Sequence, residues 1–110
     1  MFNRALTALD VRGNALGDGS TALAEGVSKN QHIVTFCEVP VKQMRDDTLV
    51  ELDLKGKNIG ACGAMVVAHL LEFSRALKSA NLAYNDIGDG GAVAISAALE
   101  NMTNTQSQME

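Results

Sequence analysis

Three stretches of this chain repeat one another. LTALDVRGNALGDG begins at Leu6, LVELDLKGKNIGACG at Leu49 and LKSANLAYNDIGDGG at Leu77. Leu9, Leu52 and Ala80 share one position of the repeat, and Val11, Leu54 and Leu82 share the next apolar one. Leu16, Ile59 and Ile87 follow, each with a glycine behind it at Gly17, Gly60 and Gly88. The second and third copies start 28 residues apart, from Leu49 to Leu77. A unit of that length is one supersecondary element, too small to bury its apolar side alone, so neighbouring units must stack.

Each copy divides into two parts. Leu52 and Leu54 alternate with Asp53 and Lys55, the period of a short strand with one face buried. A helical run then follows: STALAEGVSKN, GAMVVAHLLEFSR and GAVAISAALENMT. Val66, Val67, Leu70 and Leu71 make one apolar stripe, with Ala94, Ile95, Ala98 and Leu99 its equivalent. Asp18 and Asp89 are expected as helix N-caps. Asn14 and Asn85 hold one slot, where an asparagine can bond both its own turn and the adjacent one. The middle copy places Lys57 there, with Asn58 beside it, and the sequence leaves open whether Asn58 substitutes. A partial copy, IVTFCEVPVKQM, starts at Ile33, carries Pro40, and is expected to be a strand-like turn without a helix.

The pattern LxxLxLxxNxIG before a glycine-led, alanine-rich helix resembles the leucine-rich repeat, in its ribonuclease-inhibitor-like subtype. Val11, Ala80 and Lys57 depart from the family pattern. The resemblance implies an α/β fold: a right-handed solenoid with short parallel strands on the concave side and helices on the convex side. The repeat domain would span residues 1–104, with repeats from 6, 49 and 77 and the irregular one at 33–48. Residues 105–110 would be a polar, frayed tail. The first layer has no polar cap ahead of it, which suggests self-association or further repeats on that side.

Members of such a family mostly bind other proteins through the concave strand positions. The residues expected there include Thr7, Ala8, Asp10 and Arg12, then Val34, Thr35 and Cys37. Val50, Glu51, Asp53 and Lys55 come next, followed by Lys78, Ser79, Asn81, Ala83 and Tyr84. Asp10, Arg12, Glu51, Asp53, Lys55, Ser79, Asn81 and Tyr84 are the expected partner-binding set. Tyr84 is the expected anchor, since aromatic residues dominate many binding energies. The resemblance also raises two other roles: a fragment of a Ran-type GTPase-activating regulator, or a scaffold piece of a ciliary or cytoskeletal assembly.

Composition narrows the field. Aromatics are 4% of the chain and Trp is absent, so the core must be aliphatic. A net charge of −4 argues against nucleic acid as the main partner. No apolar run is long enough to span a bilayer, and the N-terminus lacks a signal core, so the expectation is a cytoplasmic protein. Cys37 and Cys62 read as small buried thiols. Asp10 and Asp53 would sit on an open, solvated face, which argues against a catalytic pair and for a non-enzymatic role. His32 and His69 lack ligand-spaced neighbours, so no metal or cofactor is expected.

Overall fold

The computed structural model describes residues 5–109, with side chains described through Met102. Four short strands alternate with four helices in the order β1 (Ala8–Leu9), α1 (Gly19–Lys29), β2 (Thr35–Phe36), α2 (Val41–Arg45), β3 (Glu51–Asp53), α3 (Gly60–Leu71), β4 (Ser79–Asn81) and α4 (Gly88–Met109). This mixture fits an α/β repeat fold. The strands pair in parallel: Ala8 lies opposite Thr35, and Glu51, Leu52 and Asp53 lie opposite Ser79, Ala80 and Asn81. Segments one repeat apart in sequence are therefore side by side, in the register that the aligned leucines require.

The core follows the same logic. Leu52 and Leu54 are each 2% exposed, while their alternates Glu51, Asp53 and Lys55 face out. Behind the strands, α3 is sandwiched between α1 and α4, and Ala64, Val66 and Val67 are fully buried. Close approach of α3 and α4 needs Gly91, because a Cβ there would lie 2.9 Å from the Ala64 Cβ. The outer layers are less covered: Leu9, Val11, Leu77 and Leu82 are half-buried, and Leu6 is exposed. Asp47 ties two layers together on their return to the strands, its Oδ1 accepting from the Arg75 N–H (2.8 Å) and the Ala76 N–H (2.9 Å).

Several expectations need correction. The irregular repeat does have a helix, one turn long, seated on buried Val41 and Met44 after Pro40. Pro40 has no N–H to lose and stands at the N-cap, where a donor would be unpaired anyway. Asp18 occupies the expected N-cap position of α1 but makes no side-chain capping bond. Asp89 lies inside the first turn of α4, which already starts at Gly88. Ala98 is buried as expected on α4, but Leu99 is 53% exposed, because nothing among the described residues covers that side of the last helix. α4 runs to Met109, through the segment expected as a tail, whose side chains lie outside the described residues.

The sheet is also interrupted. β1 pairs only with β2, and β3 only with β4. The cause is a tight fold-back inside the short repeat. The Phe36 N–H donates to the Val39 carbonyl (3.0 Å), the Val39 N–H donates to the Phe36 carbonyl (2.7 Å), and the Lys42 N–H donates to the Val34 carbonyl (3.1 Å). Those groups of β2 would otherwise face β3. Cys37 (φ 49°) and Glu38 (φ 73°) take left-handed conformations to make the turn. Cys37 is thereby drawn inward and buried, as its reading as a small buried thiol expects, and does not fill the strand-face position that the repeat alignment gives it.

Candidate functional site

Strand pairing gathers much of the expected binding set. Glu51 stands beside Ser79 and Asp53 beside Asn81, all exposed on the strand face. Asp10 is exposed at the end of β1. Arg12, Lys55 and Tyr84 lie one step further on, in the turns that leave the strands.

The Asp/Asn column has a local task. The Oδ1 atoms of Asp10, Asp53 and Asn81 accept from the backbone N–H two residues on, at Arg12 (3.0 Å), Lys55 (3.1 Å) and Ala83 (3.0 Å). Each carboxylate or amide thus closes an Asx-turn and fixes where its strand ends. One oxygen of each side chain is committed to that turn.

Arg12 is more heavily engaged. Its Nε and Nη2 donate to the two carboxylate oxygens of Asp10, at 2.9 and 2.6 Å, and its Nη1 donates to the Lys57 carbonyl at 2.8 Å. Glu38 lies 3.6 Å from Nη2. The Arg12 hydrogen bonds hold the Asp10 carboxyl down at a pKa of about 2. The Lys57 bond has a structural explanation. In the next layer the equivalent carbonyl, Asn85 O, accepts from the Gly60 N–H (3.1 Å). The shortened repeat brings no such N–H to Lys57, and the guanidinium takes its place.

The asparagine slot behaves differently in its two occupants. Asn85 is 2% exposed. Its Nδ2 donates to the carbonyls of Leu54 (2.6 Å), Leu82 (3.0 Å) and Ala83 (3.2 Å), and its Oδ1 accepts from the Ile59 N–H (3.1 Å). It joins two layers, as expected. Asn14 is exposed and, among the described residues, donates only to Val11 of its own turn (3.1 Å). Asn58 does not substitute at Lys57: its φ of 58° matches Asp86 (φ 49°), the residue after the slot.

Tyr84 stands apart. It has φ 59°, and the same turn position in the other full copies is held by Gly13 (φ 84°) and Gly56 (φ 67°). A left-handed backbone suits glycine and strains a bulky residue. Tyr84 is also 82% exposed, and the Lys55 Nζ lies 5.6 Å from its ring centroid.

A family model described as Leucine Rich repeat matches residues 2–20 and 74–96. The matches support a leucine-rich repeat protein. No curated protein and no solved structure matches the chain. The matched segments fall on the first and last copies, and the second includes β4, its Asn85 turn and the start of α4. Leucine-rich repeats in general mediate protein–protein interaction and are typically not enzymes. No described helix is long and apolar enough to cross a membrane.

Sequence reasoning missed two residues that belong to this surface. Glu38 and Lys57 join the Arg12 cluster, with Lys57 Nζ 3.9 Å from Glu38. Glu38 sits in the fold-back, which no repeat alignment could place. Cys37 and Cys62 are both buried, and burial pushes both thiols up, Cys62 to about 11.

Proposed function

We propose that this chain is a non-enzymatic protein-interaction module of the ribonuclease-inhibitor-like kind, acting in the cytoplasm. Its exposed strand face and the adjoining turns would engage another protein. In this reading the layers form a right-handed solenoid with strands inside and helices outside, the hand that parallel strand–helix–strand connections nearly always take. Binding would be carried by Glu51, Asp53, Ser79 and Asn81 on the strands and by Lys55 and Tyr84 in the turns. Asp10 and Arg12, already bonded to each other, would shape the surface more than contact the partner.

The observation that carries this reading is Tyr84. An aromatic side chain stands in a glycine position, strained and largely exposed, and its ring meets the exposed Lys55 ammonium on the surface instead of the core. Strain kept at an exposed aromatic marks function. Mixed charge around an aromatic suits a protein surface.

The experiment is a double readout on Tyr84→Gly. Relief of left-handed strain should make the variant about 0.5–1 kcal/mol more stable in urea unfolding. Binding to a partner captured from cell extract, measured by calorimetry, should weaken by more than ~1 kcal/mol. A variant that gains stability and binds as tightly as the parent chain removes Tyr84 as the anchor.

A further inference from the structure

The shortened repeat leaves a gap in the row of turns. Between the turn after β1 and the turn after β3 lies a cleft of about 320 Å³, whose lining includes Gly13, Asn14, Leu16, Asn58, Gly60 and Asp86. We propose that this cleft is a binding site for a peptide turn carrying a central asparagine, supplied by a partner protein. The site is distinct from the strand face, sharing only Arg12 with the set proposed there.

The complete interface between the third and fourth layers shows what a turn does when it stacks. The incoming turn gives the Ala83 carbonyl to the Gly56 N–H (2.9 Å) and the Asn85 Oδ1 to the Ile59 N–H (3.1 Å). The Asn85 Nδ2 donates to the Leu54 carbonyl (2.6 Å). The equivalents in the first layer are Gly13, Leu16 and Val11, and all three line the cleft. Among the described residues, the Gly13 and Leu16 N–H groups have no hydrogen-bond partner. Next to Asn58 of the opposite wall, the Lys57 carbonyl that would accept from an incoming turn is held by Arg12 Nη1. Arg12 therefore stands as a placeholder across the gap. A main-chain segment that gives a carbonyl to the Gly13 N–H and a carboxamide to the Leu16 N–H and to the Val11 carbonyl, which already accepts from the Asn14 Nδ2, fits the first wall in the manner of strands that add to an open sheet edge. The cleft has amides on both sides, Asn14 and Asn58, and the charge of Arg12 is already balanced by Asp10 and Glu38, so a neutral amide ligand matches it better than a free anion.

The test uses the full, isotope-labelled chain and a synthetic peptide copying residues 80–91, ANLAYNDIGDGG. The expected result is a saturable shift of the Gly13 and Leu16 amide signals, slowed hydrogen exchange at both, and at least ~10-fold weaker binding by the same peptide carrying Asn85→Ala. Three results would overturn the proposal: no shift at millimolar peptide, equal binding by the Asn85→Ala peptide, or shifts confined to Tyr84, Ile87 and the open end of the last layer. The first two results leave Tyr84 as an anchor untouched and the third would favour it, so the two readings fail separately.

Discussion

Asn85 and Asn14 are the same residue in the same slot, yet they should differ sharply in what they contribute. Asn85→Ala leaves the buried Ile59 N–H and the part-buried Leu82 carbonyl without partners, and it strips the Leu54 carbonyl of its shorter bond, leaving the Lys57 N–H at 3.2 Å. An unsatisfied buried group costs about 1–3 kcal/mol, so this variant should lose at least ~2 kcal/mol. Asn14→Ala removes one exposed bond to Val11, and its effect should stay within ~0.5 kcal/mol. Urea unfolding of both variants measures the contrast, and equal losses would contradict the layer-bridging role of Asn85. Asp10 gives a prediction in pH. Its folded pKa of about 2 lies below the ordinary 3.8, so its ionised form favours the fold above the ordinary value. That contribution should fade as pH falls from about 4 towards 2. The stability difference between the parent chain and Asp10→Asn should shrink over the same range, and a constant difference would show that the Arg12 pairing does not act through charge. The Asn85 bridge was legible in the sequence because slot and spacing define it. The role of Arg12 was not, because it depends on an N–H that the adjacent shortened repeat does not bring and on a carbonyl two layers away. Tyr84 was singled out for its aromaticity, whereas its strain shows only in a backbone angle, although the aligned Gly13 and Gly56 carried the hint.

At the scale of elements, the sequence signalled each full strand–helix unit because two periodicities and a glycine recur together. The shortened repeat was harder. Val41 and Met44 have the three-residue spacing of a single helical turn, too short for periodicity to register. The fold-back at Cys37 and Glu38 uses residue types that give no sign of a left-handed turn. The sheet break therefore follows from a local conformation that sequence pattern does not encode. The helices allow a sharper test through their glycines. Gly26 lies inside α1 with nothing within 4 Å of where an added Cβ would stand, so Gly26→Ala should stabilise the chain by about 0.5–1 kcal/mol through helix propensity. Gly91→Ala gains similar propensity but forces a Cβ to 2.9 Å from Ala64 and 3.0 Å from Ile87. Pushing α4 off α3 should cost about 1–3 kcal/mol and reverse the sign. Thermal melts of the two variants should move in opposite directions, and a rise in both would mean that α3 and α4 do not touch at Gly91.

Across the whole molecule, stability should be graded along the stack. The buried residues form one cluster from Ala24 through Ala98, so the break between β2 and β3 does not divide the core. Helix α3 bridges it: the Cys62 thiol donates to the Ser20 carbonyl of α1 (3.6 Å), and Ala64 meets α4. Each layer depends on its neighbours, and α3 has one on either side. Among the described residues the outer helices have a neighbouring helix on one side only, and Val93 and Leu99 on α4 are exposed. Local opening follows such differences in burial. Native-state hydrogen exchange should therefore find the slowest amides in α3, around Val66 and Val67, opening only with the global transition. Amides of α1 and of α4 beyond Ala98 should exchange through smaller openings with distinctly lower free energies. If α1, α3 and α4 all exchanged at one common free energy, the chain would be a single cooperative block, and the layer-by-layer account of its stability would have to be abandoned.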